Sequence, residues 1–204
     1  MKEWRESLRP GIERAREELR GKDPVELAHR GGLDYRGGEL QLRLFTKDYR
    51  ISWPQLIVQE LGSDEECEEE LQALLLDYLR RADGTPPSGE WLAFRELPEG
   101  QFYYQAFQSY SGDNLVRAFG NDLEGFKRAA IALGGEPLEF GDAAFAFKVL
   151  PHIRMAVVYW QGDEEFPPKV SVLFDSSAGR YLPAEGLAIL GRWLCAKLIE
   201  LKGI

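Results

Sequence analysis

Apolar positions recur at helical spacing through residues 1–20, with Trp4, Leu8, Ile12, Ala15 and Leu19 on one face and charged residues on the other. Pro10-Gly11 interrupts that stripe. An interior proline removes an amide donor and crowds the preceding turn, so a bent or split helix is expected. Asp23 and Pro24 then supply a capping side chain and a proline suited to a first helical position, and Gly31-Gly32 stops this short helix. Residues 40–45 alternate instead, with Leu40, Leu42 and Leu44 set against Gln41 and Arg43. Residues 49–53 follow after Thr46-Lys47-Asp48, so the period of two predicts a hairpin at a half-exposed sheet edge. From Ser63 the helical period returns. Ser63 is the expected cap, acids fill the first turns, Arg80 and Arg81 close the last turn, and Cys67, Leu71, Leu74, Leu75, Tyr78 and Leu79 form the buried stripe.

Thr85-Pro86-Pro87-Ser88-Gly89 reads as a loop. Beyond it, Phe102, Gln105 and Ala106 share one helical face and Tyr103, Phe107 and Tyr110 another, a pattern that predicts core packing of this aromatic segment. Gly112-Asp113-Asn114 and Gly120-Asn121-Asp122 break the chain around helical pieces at 115–119 and 123–133. A strand at 143–149 follows, with Phe145 and Phe147 on one face.

The apolar run then intensifies. Residues 153–160 are almost unbroken β-branched and aromatic, as in a strand buried on both faces, and Val170, Val172 and Phe174 share one face of a second strand at 170–175. If these two pair as an antiparallel hairpin, Trp160 lies near Lys169 and His152 near Ser177. The intervening loop 161–168 is about twice the length of a tight hairpin turn. Pro167 and Pro168 stiffen it, and Phe166 is placed to fold back onto the sheet. Pro183 opens a final helix whose stripe is Leu187, Leu190, Leu194, Leu198 and Leu201, widened by Ile189 and Trp193.

These elements indicate an α+β fold, a central antiparallel sheet covered by helices in a single domain spanning residues 1–204, with a helical and hairpin N-terminal part at 1–83 and a core region at 89–190. The formal charge of −9, without any dense basic block, argues against nucleic acid and against anionic membranes. No apolar run is long enough to span a bilayer, and the N-terminus lacks the apolar core of a signal peptide, so a cytoplasmic protein is expected. Cys67 and Cys195 read as buried free thiols within helices. Two cysteines and two histidines do not furnish an iron-sulfur cluster or a histidine-rich zinc or haem site.

Three groups carry candidate chemistry. Asp163, Glu164 and Glu165 stand beside Trp160 and Phe166 in the long loop; carboxylates there bind a divalent ion or act as acid and base only if they converge on one point. His152 with Asp175, Ser176 and Ser177 is the second. No Gly-x-Ser-x-Gly elbow accompanies it, and Asp175 with the serines suits a role in satisfying backbone groups at a strand end. In the third, Arg95 between Glu90 and Glu96, beside Trp91 and Phe94, predicts a structural ion pair or a contact to a ligand carboxylate. Phosphate-binding glycine loops are absent.

The segments Gly89-Glu90-Trp91-Leu92-Ala93-Phe94-Arg95-Glu96-Leu97-Pro98 and Trp160-Gln161-Gly162-Asp163-Glu164-Glu165-Phe166-Pro167-Pro168, with Leu173-Phe174-Asp175 and Tyr181-Leu182-Pro183, resemble the family of domains of unknown function numbered 3786, found mainly in anaerobic bacteria and archaea. The resemblance covers residues 89–190 closely and roughly the first eighty loosely. It brings no established activity. Some relatives resemble fusions to a cysteine-rich iron-sulfur domain like that of corrinoid proteins, which implies redox or one-carbon metabolism and, for this cysteine-poor chain, a separate redox or corrinoid-type protein partner. Relatives carry an acid after Glu185 where this chain has Gly186, so no role is assigned there.

The expected function is a non-catalytic module of anaerobic metabolism that binds a small cofactor-like ligand or a protein partner. Trp91, Tyr103, Trp160 and Phe166 supply apolar contact, Arg95 and Asp175 flank it, and Asp163, Glu164 and Glu165 give polar selection. No cofactor and no metal site is assigned. Two alternatives stand beside this: a hydrolase or transferase using Asp163, Glu165 and Asp175 around a divalent ion, and a homo-oligomeric scaffold.

Overall fold

The computed structural model describes residues 2–203, with side chains from Leu8 onward, so the Trp4 side chain lies outside the described residues. The chain is α+β, and both of its sheets are antiparallel. It packs as two compact units. One comprises the residues up to Pro86 with Leu150–His152 and Arg180–Leu182; the other comprises Pro87–Val149, Ile153–Gly179 and the chain from Pro183 onward.

In the first unit, helix α1 (Lys2–Arg20) continues through Pro10. Leu8, Ile12, Ala15 and Leu19 are buried on both sides of the proline, and that shared face keeps the helix whole where a break was expected. Helix α2 (Pro24–Gly31) is capped by Asp23, whose Oδ1 accepts the Val25 N–H at 2.8 Å, and ends at Gly32 with φ of 67°. Strands β1 (Asp34–Arg36), β2 (Glu39–Leu44), β3 (Lys47–Ser52) and β4 (Val58–Glu60) form a meander in chain order. The hairpin β2–β3 is thus its centre rather than an edge. Leu40 pairs with Ile51 and Leu42 with Tyr49, so the alternating apolar residues share one buried face.

Helix α3 spans Glu69–Arg81 and packs along α1. It begins later than the Ser63 cap predicts. The Ser63 hydroxyl instead accepts the Glu65 N–H at 3.1 Å, and the following acids run beside β4, where Cys67 N–H reaches the Val58 carbonyl at 2.9 Å and Gln59 bridges Glu66. Their backbone is already engaged, so it does not wind. Arginines meet the acids: Glu66 pairs with Arg16 at 2.8 Å, Asp64 with Arg50 at 3.1 Å, and Glu69 with Arg9. Cys67 is consequently outside the helix and half-buried, and burial raises its thiol pKa. Tyr78 is fully buried. Its hydroxyl donates to the Gly31 carbonyl at 2.7 Å and accepts the His152 N–H at 3.2 Å, while Tyr181 stacks on the rings of both Tyr78 and His152 at 5.3 Å.

The second unit holds strands β5 (Trp91–Ala93), β6 (Glu136–Leu138), β7 (Ala143–Leu150), β8 (Ile153–Trp160) and β9 (Lys169–Asp175), in the order β5-β9-β8-β7-β6. β8 is the central strand and is buried along almost its whole length, as its continuous apolar run requires. The expected hairpin register is present, with Trp160 opposite Lys169 and Val157 opposite Val172. Helices α4 (Gly100–Tyr110), α5 (Gly112–Phe119), α6 (Leu123–Ala132) and α7 (Ala184–Glu200) cover the sheet, α5 lying along β9 and α7 against α4, α5 and α6.

Two aromatic clusters fill this core. Phe94 stacks on Phe107 with ring centroids 4.2 Å apart, and both meet Phe174; the absent side chain of Gly191 leaves room for Phe107 against α7, since a Cβ there would lie 2.6 Å from the ring. Phe126 meets Phe119, Phe145 and Tyr159. Of the aromatic segment expected in the core, only Phe107 is fully buried; Phe102 is 87% and Tyr103 63% exposed. Both sit in the first turn of α4, Phe102 on a different face from Phe107 and Tyr103 one turn ahead of Phe107 on the same side. Cys195 is buried on α7, and desolvation holds its thiol protonated. Among the described residues no helix is long and apolar enough to cross a membrane.

Candidate functional site

At the end of the β8–β9 hairpin, three loops of the second unit are tied into one surface. The first follows α5 at Gly120-Asn121-Asp122, the second joins β6 to β7 at 139–142, and the third is the acidic loop 161–168. Asn121 brackets the third: its Oδ1 accepts the Gly162 N–H at 2.9 Å, its Nδ2 donates to the Gly162 carbonyl at 3.3 Å, and its own carbonyl takes the Gln161 amide at 3.0 Å. Asp142 joins the second to the same place, its N–H reaching the Tyr159 carbonyl at 2.9 Å and its Oδ2 accepting the Gln161 N–H at 2.7 Å. The Tyr159 hydroxyl donates to Gly120 at 2.6 Å from beneath. A long exposed loop is thereby held by side chains about forty and about twenty residues away.

Inside the acidic loop, Asp163 is committed to structure. Its Oδ1 accepts the N–H groups of Phe166 at 2.7 Å and Glu165 at 2.8 Å, and its own N–H donates to the Phe166 carbonyl at 2.9 Å. These amide donors, Phe166 first and Glu165 next, draw its carboxyl pKa below the ordinary aspartate value. Glu164 and Glu165 project into water. The closed turn also determines where the aromatics go. Phe166 does not fold back onto the sheet; it stands 67% exposed, and the other exposed aromatics of this end of the sheet are Phe140 at 47% and Trp160 at 38%. Gly141 brings the second loop against the indole: a Cβ there would lie 3.3 Å from Trp160 Cε2 and 2.7 Å from the Tyr159 carbonyl. Lys169 covers part of the indole, its ammonium 5.6 Å from the ring centroid.

The structure therefore brings together Trp160, Asp163, Glu164, Glu165 and Phe166 and leaves the other candidates elsewhere. Asp175 ends β9 at the opposite end from Lys169, about 20 Å away along the strand. Fully buried, its Oδ1 accepts Ser88 N–H at 2.9 Å, Ser88 Oγ at 3.0 Å, Ser177 N–H at 3.0 Å and Ser177 Oγ at 2.7 Å; its Oδ2 accepts Gly89 N–H at 2.7 Å. Burial works to raise its pKa, but the donors from Ser177, Ser88 and Gly89 outweigh this and the carboxyl is held below its ordinary value. Its task is to anchor residues 88–89 onto the sheet. Asp163, Glu165 and Asp175 do not converge, and among the described residues no cluster of three or more histidine, cysteine, aspartate or glutamate side chains is arranged to hold a metal ion.

Trp91 lies opposite Asp175 on β5, half-buried. Among the described residues the expected ion pair of Arg95 is not formed: Glu96 Oε2 accepts the Ala93 N–H at 2.6 Å, and Arg95 lies over the Tyr104 ring at 5.9 Å. Tyr103 stands exposed near the start of α4, which begins against Phe94 and reaches Val170 only at its far end. His152 belongs to the first unit, stacked on Tyr181, whereas Asp175 and Ser177 belong to the second.

Sequence reasoning missed Asn121, Phe140, Gly141 and Asp142. The usable signal was a large aromatic beside Gly-Asp in a connection between strands; the Asn121 contact spans too much sequence to be read locally.

With this geometry in place, the chain was compared with known proteins. The family model described as Domain of unknown function (DUF3786) matches residues 23–197, well beyond the region in which the motifs are dense. No curated protein and no solved structure matches the chain.

Proposed function

We propose that this chain, which belongs to the DUF3786 family, acts in the cytoplasm as a non-catalytic docking module that binds a protein partner through the Phe140–Trp160–Phe166 surface. The observation that carries the reading is the exposure of three large aromatics, Trp160 at the end of β8 and Phe140 and Phe166 on loops that are themselves cross-linked by Asn121 and Asp142. Full burial of such a side chain is worth roughly 1.5–3 kcal/mol, of which each of these forgoes its exposed share, and contact aromatics on a pre-ordered surface lose little freedom on binding. Side chains standing this far into solvent offer area to an opposing surface, which favours a macromolecular partner over an enclosed small ligand. The hydrolase or transferase alternative needs Asp163, Glu165 and Asp175 at one point, and their separation along β9 gives it no support.

The test is site-specific photo-crosslinking in the native cells, with a benzophenone amino acid replacing Phe166 and, as control, Val25, which is 60% exposed in the first unit. A discrete protein adduct from position 166, absent from position 25 and lost when Phe140→Ala is added, is the expected result. Equal adducts from both positions, or none from position 166, would overturn the reading.

A further inference from the structure

Resting on that reading, we infer that the partner segment docking on the Phe140–Trp160–Phe166 surface is cationic, carrying lysine or arginine beside its apolar anchors. The argument follows from which carboxylates of the three loops are already used. Asp163 holds the N–H groups of Glu165 and Phe166, Asp142 holds Gln161, and Asp122 accepts the Gly125 N–H at 2.8 Å. Glu139, Glu164 and Glu165 are exposed, and none of them makes an ion pair or a side-chain hydrogen bond among the described residues. Several acids elsewhere in the chain are met by its own arginines, as Glu66 by Arg16, Asp83 by Arg180 and Asp48 by Arg43. Here Lys169 is turned onto the Trp160 ring.

The surface is therefore an apolar centre with an unneutralised acidic rim, on a chain whose formal charge is −9. Rim charges of this kind steer encounter and select the sign of the partner, while the buried aromatics supply most of the affinity. A second copy of the chain is a poor occupant, because it brings the same acidic residues and the same negative formal charge to the contact. An acidic partner meets the same repulsion.

Two synthetic peptides with identical leucine and phenylalanine positions, one bearing lysines and the other glutamates between them, test the inference by fluorescence anisotropy. The full chain is compared with E139Q/E164Q/E165Q and with F140A/F166A. The lysine peptide is expected to bind at least about tenfold tighter than the glutamate peptide at low salt, with the preference collapsing in the triple glutamine variant and shrinking as salt rises. Equal affinities, a preference unchanged in the triple variant, or no binding of the lysine peptide would overturn the cationic partner. If the triple variant does not fold, a salt-independent preference in the unsubstituted chain overturns it equally. The two aromatic substitutions separate the readings. Binding unaffected by F140A/F166A removes the docking surface itself; loss of both peptides' binding without any charge preference keeps the surface and removes only its cationic occupant.

Discussion

The Asn121 side chain makes a two-point bracket on the backbone of Gly162, accepting its N–H at 2.9 Å and donating to its carbonyl at 3.3 Å. A carboxamide is the one neutral side-chain head that presents an acceptor and a donor side by side, as a peptide does. Substituting Asn121→Ala therefore frees the acidic loop while leaving the core untouched. The Gly162 amide is expected to exchange at least about tenfold faster by hydrogen-deuterium exchange, with global stability reduced by only about 1 kcal/mol.

Asp175 ties residues 88–89 to the end of β9 through five donors shared between its two oxygens. Asp175→Asn replaces one acceptor by an amide that faces donors, and a loss of about 3 kcal/mol is expected at neutral pH by chemical denaturation. Because the folded pKa lies below the unfolded value, the carboxylate's contribution is complete above the ordinary aspartate value of 3.8 and disappears as pH falls through the folded value. The stability gap between the two proteins should accordingly narrow in that acid range. A gap independent of pH would show that the charge contributes nothing.

Tyr78 satisfies two backbone groups from the interior of the first unit, the Gly31 carbonyl and the His152 N–H. Burial pushes its phenol pKa well above the ordinary range, and burial likewise raises that of Tyr181, to about 12, so both rings stay neutral at working pH. Tyr78→Phe keeps the ring stack and removes the hydroxyl alone. Stability should fall by about 2 kcal/mol, measured by denaturant titration, with faster exchange at the His152 amide.

Gly100 begins α4 so close to the preceding turn Phe94–Glu96 that a Cβ would sit 1.9 Å from the Phe94 carbonyl oxygen. The clashing atom is backbone and cannot rotate aside. Gly100→Ala should destabilise the second unit by more than about 2 kcal/mol, whereas Gly179→Ala, with open space around it, should change stability by less than about 0.5 kcal/mol in the same thermal unfolding experiment.

The sequence by itself determined the elements whose pattern is long and regular. Residues 153–160, β-branched and aromatic and apolar on both faces, read as a strand covered on both faces, and the leucine stripe after Pro183 read as a packed helix; both are so in the structure. Alternation in Val170, Val172 and Phe174 showed which face is buried, and the register that sets Trp160 opposite Lys169 followed only on the condition that the two strands pair as a hairpin, which they do. The long loop with its acids and neighbouring aromatics was visible as composition. Tertiary structure alone decided the rest. The short strands β1, β4, β5 and β6 carry too few residues to show a period, and pairing with a neighbour is what makes them strands. The acids after Ser63 satisfy every local signal of a helix start, yet pairing beside β4 and with arginines of α1 and β3 outcompetes that preference. Whether Phe166 would pack inward or stand outward, and whether Asp163 and Asp175 would meet or separate, depended on hydrogen bonds from Asn121, Asp142, Ser88 and Ser177, most of them between residues far apart in sequence. Such bonds leave no periodic trace in the chain, because one partner's position is specified only once the other segment has folded beside it.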